Sequence, residues 1–300
     1  MLRQIVQNHR NVHIFNHDFN SVKDSQDYLF LSDLHWDNPK CQRKILERHL
    51  REAQERKAKV LVNGDFFCLM QGKGDPRRSK DDIRPEHNKA NYLDAIVKDA
   101  VKWWGKYADV LTWIGYGNHE TSIIKHQETD VMRRFVDLFN LTYEQKHPLQ
   151  LGGYGGWIVF KGQRYRSEKK AYQTFATKKI HYFHGAGGGG PVTANMIQHQ
   201  RNSAYVEGAD MIWMGHTHDW FFHTRTKHGL DNTEKPANFD LDFMQTPTYK
   251  EEFDDRHGGF HVERGRPPKP IGGYWLTLKA KTRANSSENR NIIWSVTKTD

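Results

Sequence analysis

Five short stretches hold the residues of this chain best suited to chemistry: Asp33 and His35 in "SDLHW", Asp65 in "NGDFF", Asn118 and His119 in "GYGNHE", His184 in "FHG", and His216 with His218 in "MGHTH". Carboxylate, amide and imidazole groups are ligands for divalent metals, and imidazole also moves protons near neutral pH. Cys41 and Cys68 are the only cysteines and form no CxxC pair, which argues against thiolate zinc sites, a disulfide framework and dithiol redox chemistry. A metal in this protein must therefore sit on His, Asp, Glu or Asn. Mixed nitrogen and oxygen ligation suits Mn²⁺, Fe, Co²⁺, Ni²⁺ or Zn²⁺, and affinity order alone does not choose among them.

Each stretch follows a short apolar run of the kind that forms a buried strand, as in "DYLFL", "KVLV", "DVLTWIG", "KKIHYF" and "ADMIWM". Helical patterns intervene at roughly 39–57, with Ile45, Leu46, Leu50 and Ala53 on one side, then at 88–106, 129–139 and 192–205. This alternation predicts a parallel-type sheet flanked by helices. Residues 149–184 are β-rich and punctuated by glycine, as antiparallel strands are, and 221–300 places turn clusters between strand candidates such as "GYWLTLKA" and "NIIWSVTK". With no linker and no repeat, the expected class is α/β, a two-sheet β-sandwich flanked by helices. It forms a single domain over 1–300, with a motif core at 27–220 and a β-rich part at 221–300. Ligands of open α/β sheets bind beyond the carboxyl ends of strands, where all five stretches fall. Period-two alternation would send Asp33 and His35, and likewise His216 and His218, to a common side. The steps from Asp33 to Asp65 and from His184 to His216 are both 32 positions, about one βαβ unit.

Together, the five stretches resemble the complete motif set of the calcineurin-like metallophosphoesterases, DxH, GD, GNH[DE], H and GHxH, in that family's order across residues 30–219. The resemblance implies the metallophosphoesterase fold and a phosphoester hydrolase. It implies two divalent cations about 3.5–4 Å apart that share a carboxylate, polarise a phosphoryl group and deprotonate water for in-line attack. Carried over by motif, Asp33, His35 and His218 would hold one metal, Asn118, His184 and His216 the other, and Asp65 would bridge them. Manganese is the first choice. By the same resemblance His119 is no ligand but faces the leaving-group oxygen, as an acid or a transition-state donor. A carboxylate orienting it would fix one tautomer and raise its pKa; adjacent Glu120 could be that partner or, as a neighbour in sequence, point away.

The substrate class is less sharply marked. Phosphoprotein phosphatases of this superfamily share the GNHE spelling but also carry GDxVDRG and an arginine directly before GNHE. Here those stretches read "GDFFCLM" and "YGNHE", without either arginine. The exonuclease branch uses a basic cleft, and this chain offers "DPRRSKDDIRPEHNK" (75–89), "KGQRYRSEKK" (161–170) and "ERGRPPK" (263–269). Arg77, Arg78, Lys80 and Arg84, with Trp36 nearby for stacking, would suit a phosphate backbone and a base. A phosphodiester in nucleic acid or a nucleotide is the leading expectation. The alternatives are a small-molecule phosphomonoester, a phosphoprotein, or a scaffold that keeps the fold for binding alone.

A formal charge of +9 favours anionic partners, although solubility alone accounts for many basic proteins. Mean hydropathy of −0.87, no apolar run long enough to cross a bilayer and no signal-peptide pattern lead to the expectation of a cytoplasmic protein without membrane contact. "HGAGGGGP" lacks the Lys-Ser/Thr ending of a P-loop and reads as a glycine loop passing near the metals before a helix at Pro191. Cys68 reads as a buried thiol, and His261 as a histidine that could line the cleft.

Overall fold

The computed structural model describes residues 1–69, 82–166, 169–190, 192–231, 233–253, 259–263, 265–282 and 290–300. Among these, two sheets form. One runs in the order β13 (Arg290–Lys298), β12 (Tyr274–Thr282), β3 (Ser25–Leu31), β4 (Lys59–Asn63), β5 (Leu111–Gly115) and β6 (Gln150–Leu151). The other runs β1 (Leu2–His9), β2 (Val12–Asp18), β7 (Gly155–Arg166), β8 (Ala171–Phe183), β9 (Met211–Met214), β11 (Pro236–Gln245) and β10 (Phe221–Leu230).

Strand periodicity decides which layer each side chain enters. Tyr28 and Phe30 of β3, Leu61 of β4 and Trp113 of β5 meet Phe160, Ile180, Tyr182, Met211 and Trp213 from the opposite sheet in a shared core. Their neighbours Leu29, Leu31, Val60 and Val62 face outward onto helices. Those helices are α1 (Arg43–Glu55), α2 (Tyr92–Trp104) and α4 (Val131–Thr142). In α1 the buried positions are Leu46, His49, Leu50 and Ala53, the stripe a helix must bury. On the outer face of the other sheet, α5 (Met196–Tyr205) adds a smaller cluster with Ile212 and Met214. The chain is thus the two-sheet α/β sandwich flanked by helices that its patterning predicts.

Several details differ from expectation. The first 18 residues form a hairpin that pairs in parallel with β7, a strand pair the sequence reading did not assign. "GYWLTLKA" and "NIIWSVTK" become β12 and β13 and join β3 antiparallel, so the sheet carrying three of the five stretches is mixed rather than purely parallel. The helix expected at 129–139 is preceded by another, α3 (Asn118–Gln127). Glu128, at φ 51, ends that helix in the left-handed region, and the Asp130 side chain caps the next by accepting from the Arg133 amide at 2.9 Å. The helix expected from 192 begins instead at Met196, after Asn195 at φ 68. No helix of the described residues is long and apolar enough to cross a membrane.

Trp113 is fully buried between the sheets, with its ring centroid 4.7 Å from that of Tyr182 and 6.1 Å from that of Trp213. Truncating it leaves a cavity that the two sheets cannot close. Trp113→Ala should lower the unfolding free energy by about 3–5 kcal/mol, read from the midpoint of urea denaturation. A loss below about 1 kcal/mol would mean that the sheets pack without it.

Candidate metal centre

The strands stop before the reactive residues arrive. β3 ends at Leu31 and β9 at Met214, so Asp33, His35, His216 and His218 lie in the loops that follow. Period-two alternation is therefore not what brings them together. Left-handed backbone does so: φ is 52° at Asp33, 45° at His35, 46° at Asp65, 71° at His216 and 59° at His218. Each such non-glycine residue costs roughly 1–3 kcal/mol and persists only where its surroundings over-determine it. Here the loops hold one another. The Asp33 amide donates to Gly64 O at 3.1 Å, the His35 amide to Asp65 O at 3.0 Å, and the His216 amide to Asp33 Oδ2 at 2.9 Å. Glycine is required where these loops cross. A Cβ on Gly117 would strike the Asp65 carboxylate, and one on Gly64 would strike the His184 ring.

Of five groups of side chains among the described residues that could hold a metal ion, two consist wholly of the candidate ligands: Asp33, His35 and His218, and Asp65, His184 and His216. In the first, the Nε2 atoms of His35 and His218 face one another at 3.4 Å, and His218 Nε2 lies 3.4 Å from Asp33 Oδ1. Burial, followed by the nearby charge of His119, holds His35 well below the usual imidazole range, leaving it neutral with a lone pair to offer. In the second group, His184 Nδ1 is 2.7 Å from Asn63 O, which assigns it the proton and leaves Nε2 for the site. That Nε2 is buried without a well-formed hydrogen bond, 3.3 Å from Asp65 Oδ2 and 3.9 Å from Asp33 Oδ1. Asn118, at the first turn of α3, brings its Oδ1 to 2.8 Å from His216 Nδ1. Opposed imidazole nitrogens and an unsatisfied Nε2 between carboxylates are the signature of groups arranged around cations. The residues fit a pair of divalent ions.

The electrostatics point the same way. Burial alone would raise the Asp65 carboxyl, but His184, His119 and His35 around it pull it well below the ordinary carboxylate value. Burial would lower His184, yet Asp65 and Asp33 raise it to about 10. Glu120 is pushed up to about 8 by burial and by Asp65 beside it. Glu120 does not orient His119, as the sequence reading supposed. Its carboxylate accepts from the amides of Gly117 at 2.8 Å, Phe67 at 2.9 Å and Asp65 at 3.2 Å, and so ties the second and third stretches together. The partner of His119 is a backbone carbonyl: Nδ1 hydrogen-bonds to Cys68 O, while Nε2 lies 3.8 Å from Asp65 Oδ2. Cys68 itself is a buried thiol, raised to about 12 by burial.

The profile of the family described as calcineurin-like phosphoesterase matches residues 27–220 of the chain. The chain belongs to the calcineurin-like phosphoesterase family. Members of this family are metal-dependent phosphoesterases. Among solved structures, the chain is similar to the Vps29 of Chaetomium thermophilum, at 8% identity over 91% of this chain and 97% of that one, with a TM-score of 0.34. No individual curated protein sequence matches it.

In this calcineurin-like phosphoesterase five of the seven candidate ligands, His35, Asp65, Asn118, His216 and His218, line a cavity of about 320 Å³, and Asp33 and His184 lie behind them, fully buried. His119 lies on its wall together with Gly187, Gly188 and Gly189, and with Lys250, Glu252, His261 and Arg266. The lining by His261 agrees with the sequence reading, whereas Lys250 and Glu252 were missed. Their place follows from sheet topology and not from any local pattern: β11 runs parallel to β9, so the chain beyond Gln245 emerges on the same side as His216 and His218. The last residue of β11 and the segment beyond it clamp the site, with Gln245 Nε2 donating to Gly215 O at 2.6 Å and Thr248 Oγ1 to Asp33 O at 2.7 Å. Trp36 is corrected. It is fully buried beneath Arg43 and beside Phe67 and Trp103, and cannot stack on a substrate ring. Of the basic loop, Arg77, Arg78 and Lys80 lie outside the described residues. Arg84 donates to Asn38 O at 2.8 Å and does not line the cavity.

Because His184 is held at about 10, it carries a proton at pH 7 that a metal must displace. Binding of Mn²⁺ should therefore release protons and tighten as pH rises from 6 to 9. Calorimetry in buffers of different ionisation enthalpy should count at least one proton per chain. Pure metal uptake with none released would remove His184 from the ligand set.

Proposed function

We propose that the chain is a two-metal phosphoesterase that hydrolyses a phosphodiester of a nucleic acid or nucleotide. The observation that carries this reading is the position of Asp65, whose carboxylate meets His184 of one ligand group and lies in the same cavity as His35 and His218 of the other. In this reading Asp33, His35 and His218 hold one ion, Asn118, His184 and His216 hold the second, and Asp65 serves both. Manganese is the first choice for both ions, with Fe, Zn²⁺, Co²⁺ and Ni²⁺ as the other metals of suitable hardness. Bound there, the pair supplies Lewis acidity toward the phosphoryl oxygens and a nucleophile from water near neutral pH.

The chain's own residues do the rest. Cys68 O accepts the Nδ1 proton of His119, so its Nε2 is left for the cavity; in the imidazolium form Nε2 carries a second proton that passes to the departing oxygen and leaves the ring neutral. Glu120 keeps the Asp65 and Gly117 loops in register through three amide hydrogen bonds. A cavity of about 320 Å³ suits a single nucleotide-sized group entering end-on. At the positions where phosphoprotein phosphatases carry arginines this chain has Leu69 and Tyr116. Leu69 is buried in the core and the Tyr116 hydroxyl donates to Asp130 at 2.6 Å, which speaks against that class.

His119→Gln should lower kcat by roughly 10²–10⁴-fold on a chromogenic phosphodiester in Mn²⁺ while both ions remain bound by elemental analysis. Metal loss in that variant would make His119 a ligand instead. Assayed alongside a phosphomonoester, a cyclic nucleotide and single-stranded DNA, the parent should be fastest on a diester. Turnover confined to monoesters would replace this reading by a phosphomonoesterase.

A further inference from the structure

Lys250 and Glu252 reach the cavity from a segment that no family motif covers. Lys250 is 5% exposed and its Nζ sits 2.6 Å from Glu252 Oε1, while Glu252 Oε2 lies 3.6 Å from His261 Nε2. The pair flanks a row of imidazoles, with ring centroids 4.8 Å apart from His119 to His35, 5.4 Å from His35 to His218 and 6.2 Å from His218 to His261. The pair thus lines the same cavity as His119, at the His261 end of that row.

Burying two charges carries a desolvation cost that their attraction offsets only in part. As a purely structural fastener the pair would be a costly choice, because Thr248, Tyr249 and Lys250 are already held through the hydrogen bonds of their own backbone and of the Thr248 hydroxyl. As a recognition device it has a definite chemistry. A phosphate gains from the ammonium what it loses to the carboxylate. A hydroxyl both donates and accepts, so it is satisfied by both members at once, and adjacent hydroxyls use the two carboxylate oxygens together, as a ribose does on an acidic side chain.

We propose that Lys250 and Glu252 receive the hydroxyls of a sugar in the leaving group, so that the ester cleaved at this site is one of ribose or another polyhydroxylated alcohol. This rests on the phosphoesterase reading above.

Matched pairs of ligands test it: AMP against 2′,3′-dideoxy-AMP for ribose, and glucose 6-phosphate against hexyl phosphate for another sugar. Each is measured as a competitive inhibitor of aryl diester hydrolysis by the Mn²⁺-loaded protein, and by calorimetry on the metal-free protein. In the parent, the hydroxylated member of at least one pair should bind about 10- to 100-fold more tightly, as expected for hydrogen bonds to charged groups. Glu252→Gln and Lys250→Met should bring that ratio toward one, and Lys250→Arg should keep it. A structural role would weaken both members of a pair equally and leave the ratio unchanged. Ratios near one for both pairs in the parent, or an unaltered ratio in Glu252→Gln, would overturn the proposal, and the parent comparison decides alone should the variants not fold. Failure of the phosphoesterase reading would look different: no ester would be hydrolysed while the calorimetric ratios persisted.

Discussion

The structure turns on a single buried carboxylate. Asp65 is 2% exposed and surrounded by His184, His119 and His35, with a second buried carboxylate, Glu120, reaching its own backbone amide. Two carboxylates this close cannot both be comfortable in a low-dielectric interior, and the displaced pKa values record the conflict. Asp65 keeps its charge by holding a proton on His184, and Glu120 is driven up to about 8. The cluster is a set of compromises between burial and charge. Cations in the two ligand groups would replace the His184 proton and relieve them, so metal binding and the integrity of the loops should be one event.

Geometry and electrostatics meet in the loops that follow the strands. Five residues of the constellation adopt left-handed backbone, and they do so where amides and carbonyls of neighbouring loops pin them. Gly64 and Gly117 let the loops approach closely enough for this pinning. The end of β11, through Gln245, and the segment after it, through Thr248, complete the clamp. The fold supplies two stiff sheets whose strand ends are close, and the loops spend stability on aiming side chains.

Much of this was legible in the sequence, for physical reasons. Short continuous apolar runs marked β3, β4, β5, β8 and β9, and the reactive residues follow those runs because the carboxyl ends of parallel strands open onto one side. What misled was the inference from spacing to orientation. Asp33 and His35 converge through left-handed φ, which local residue type does not announce in aspartate or histidine. Trp36 stands next to a motif residue, yet its ring turns inward under Arg43. Glu120 adjoins His119 but points back to its own helix start, as a residue at the third position of a helix does. Lys250 and Glu252 were invisible because their place depends on β11 pairing with β9, a contact between distant parts of the chain that no local pattern encodes.

The central claim, that Asp65 is shared by two metal sites, is tested most directly by metal content. Parent protein and Asp65→Asn, each saturated with Mn²⁺ and freed of loose metal by gel filtration, would be compared by elemental analysis per mole of chain. The account predicts two ions in the parent and a substantial loss from both sites in the variant. A variant that keeps one ion at full occupancy, or a parent that never exceeds one, would contradict it.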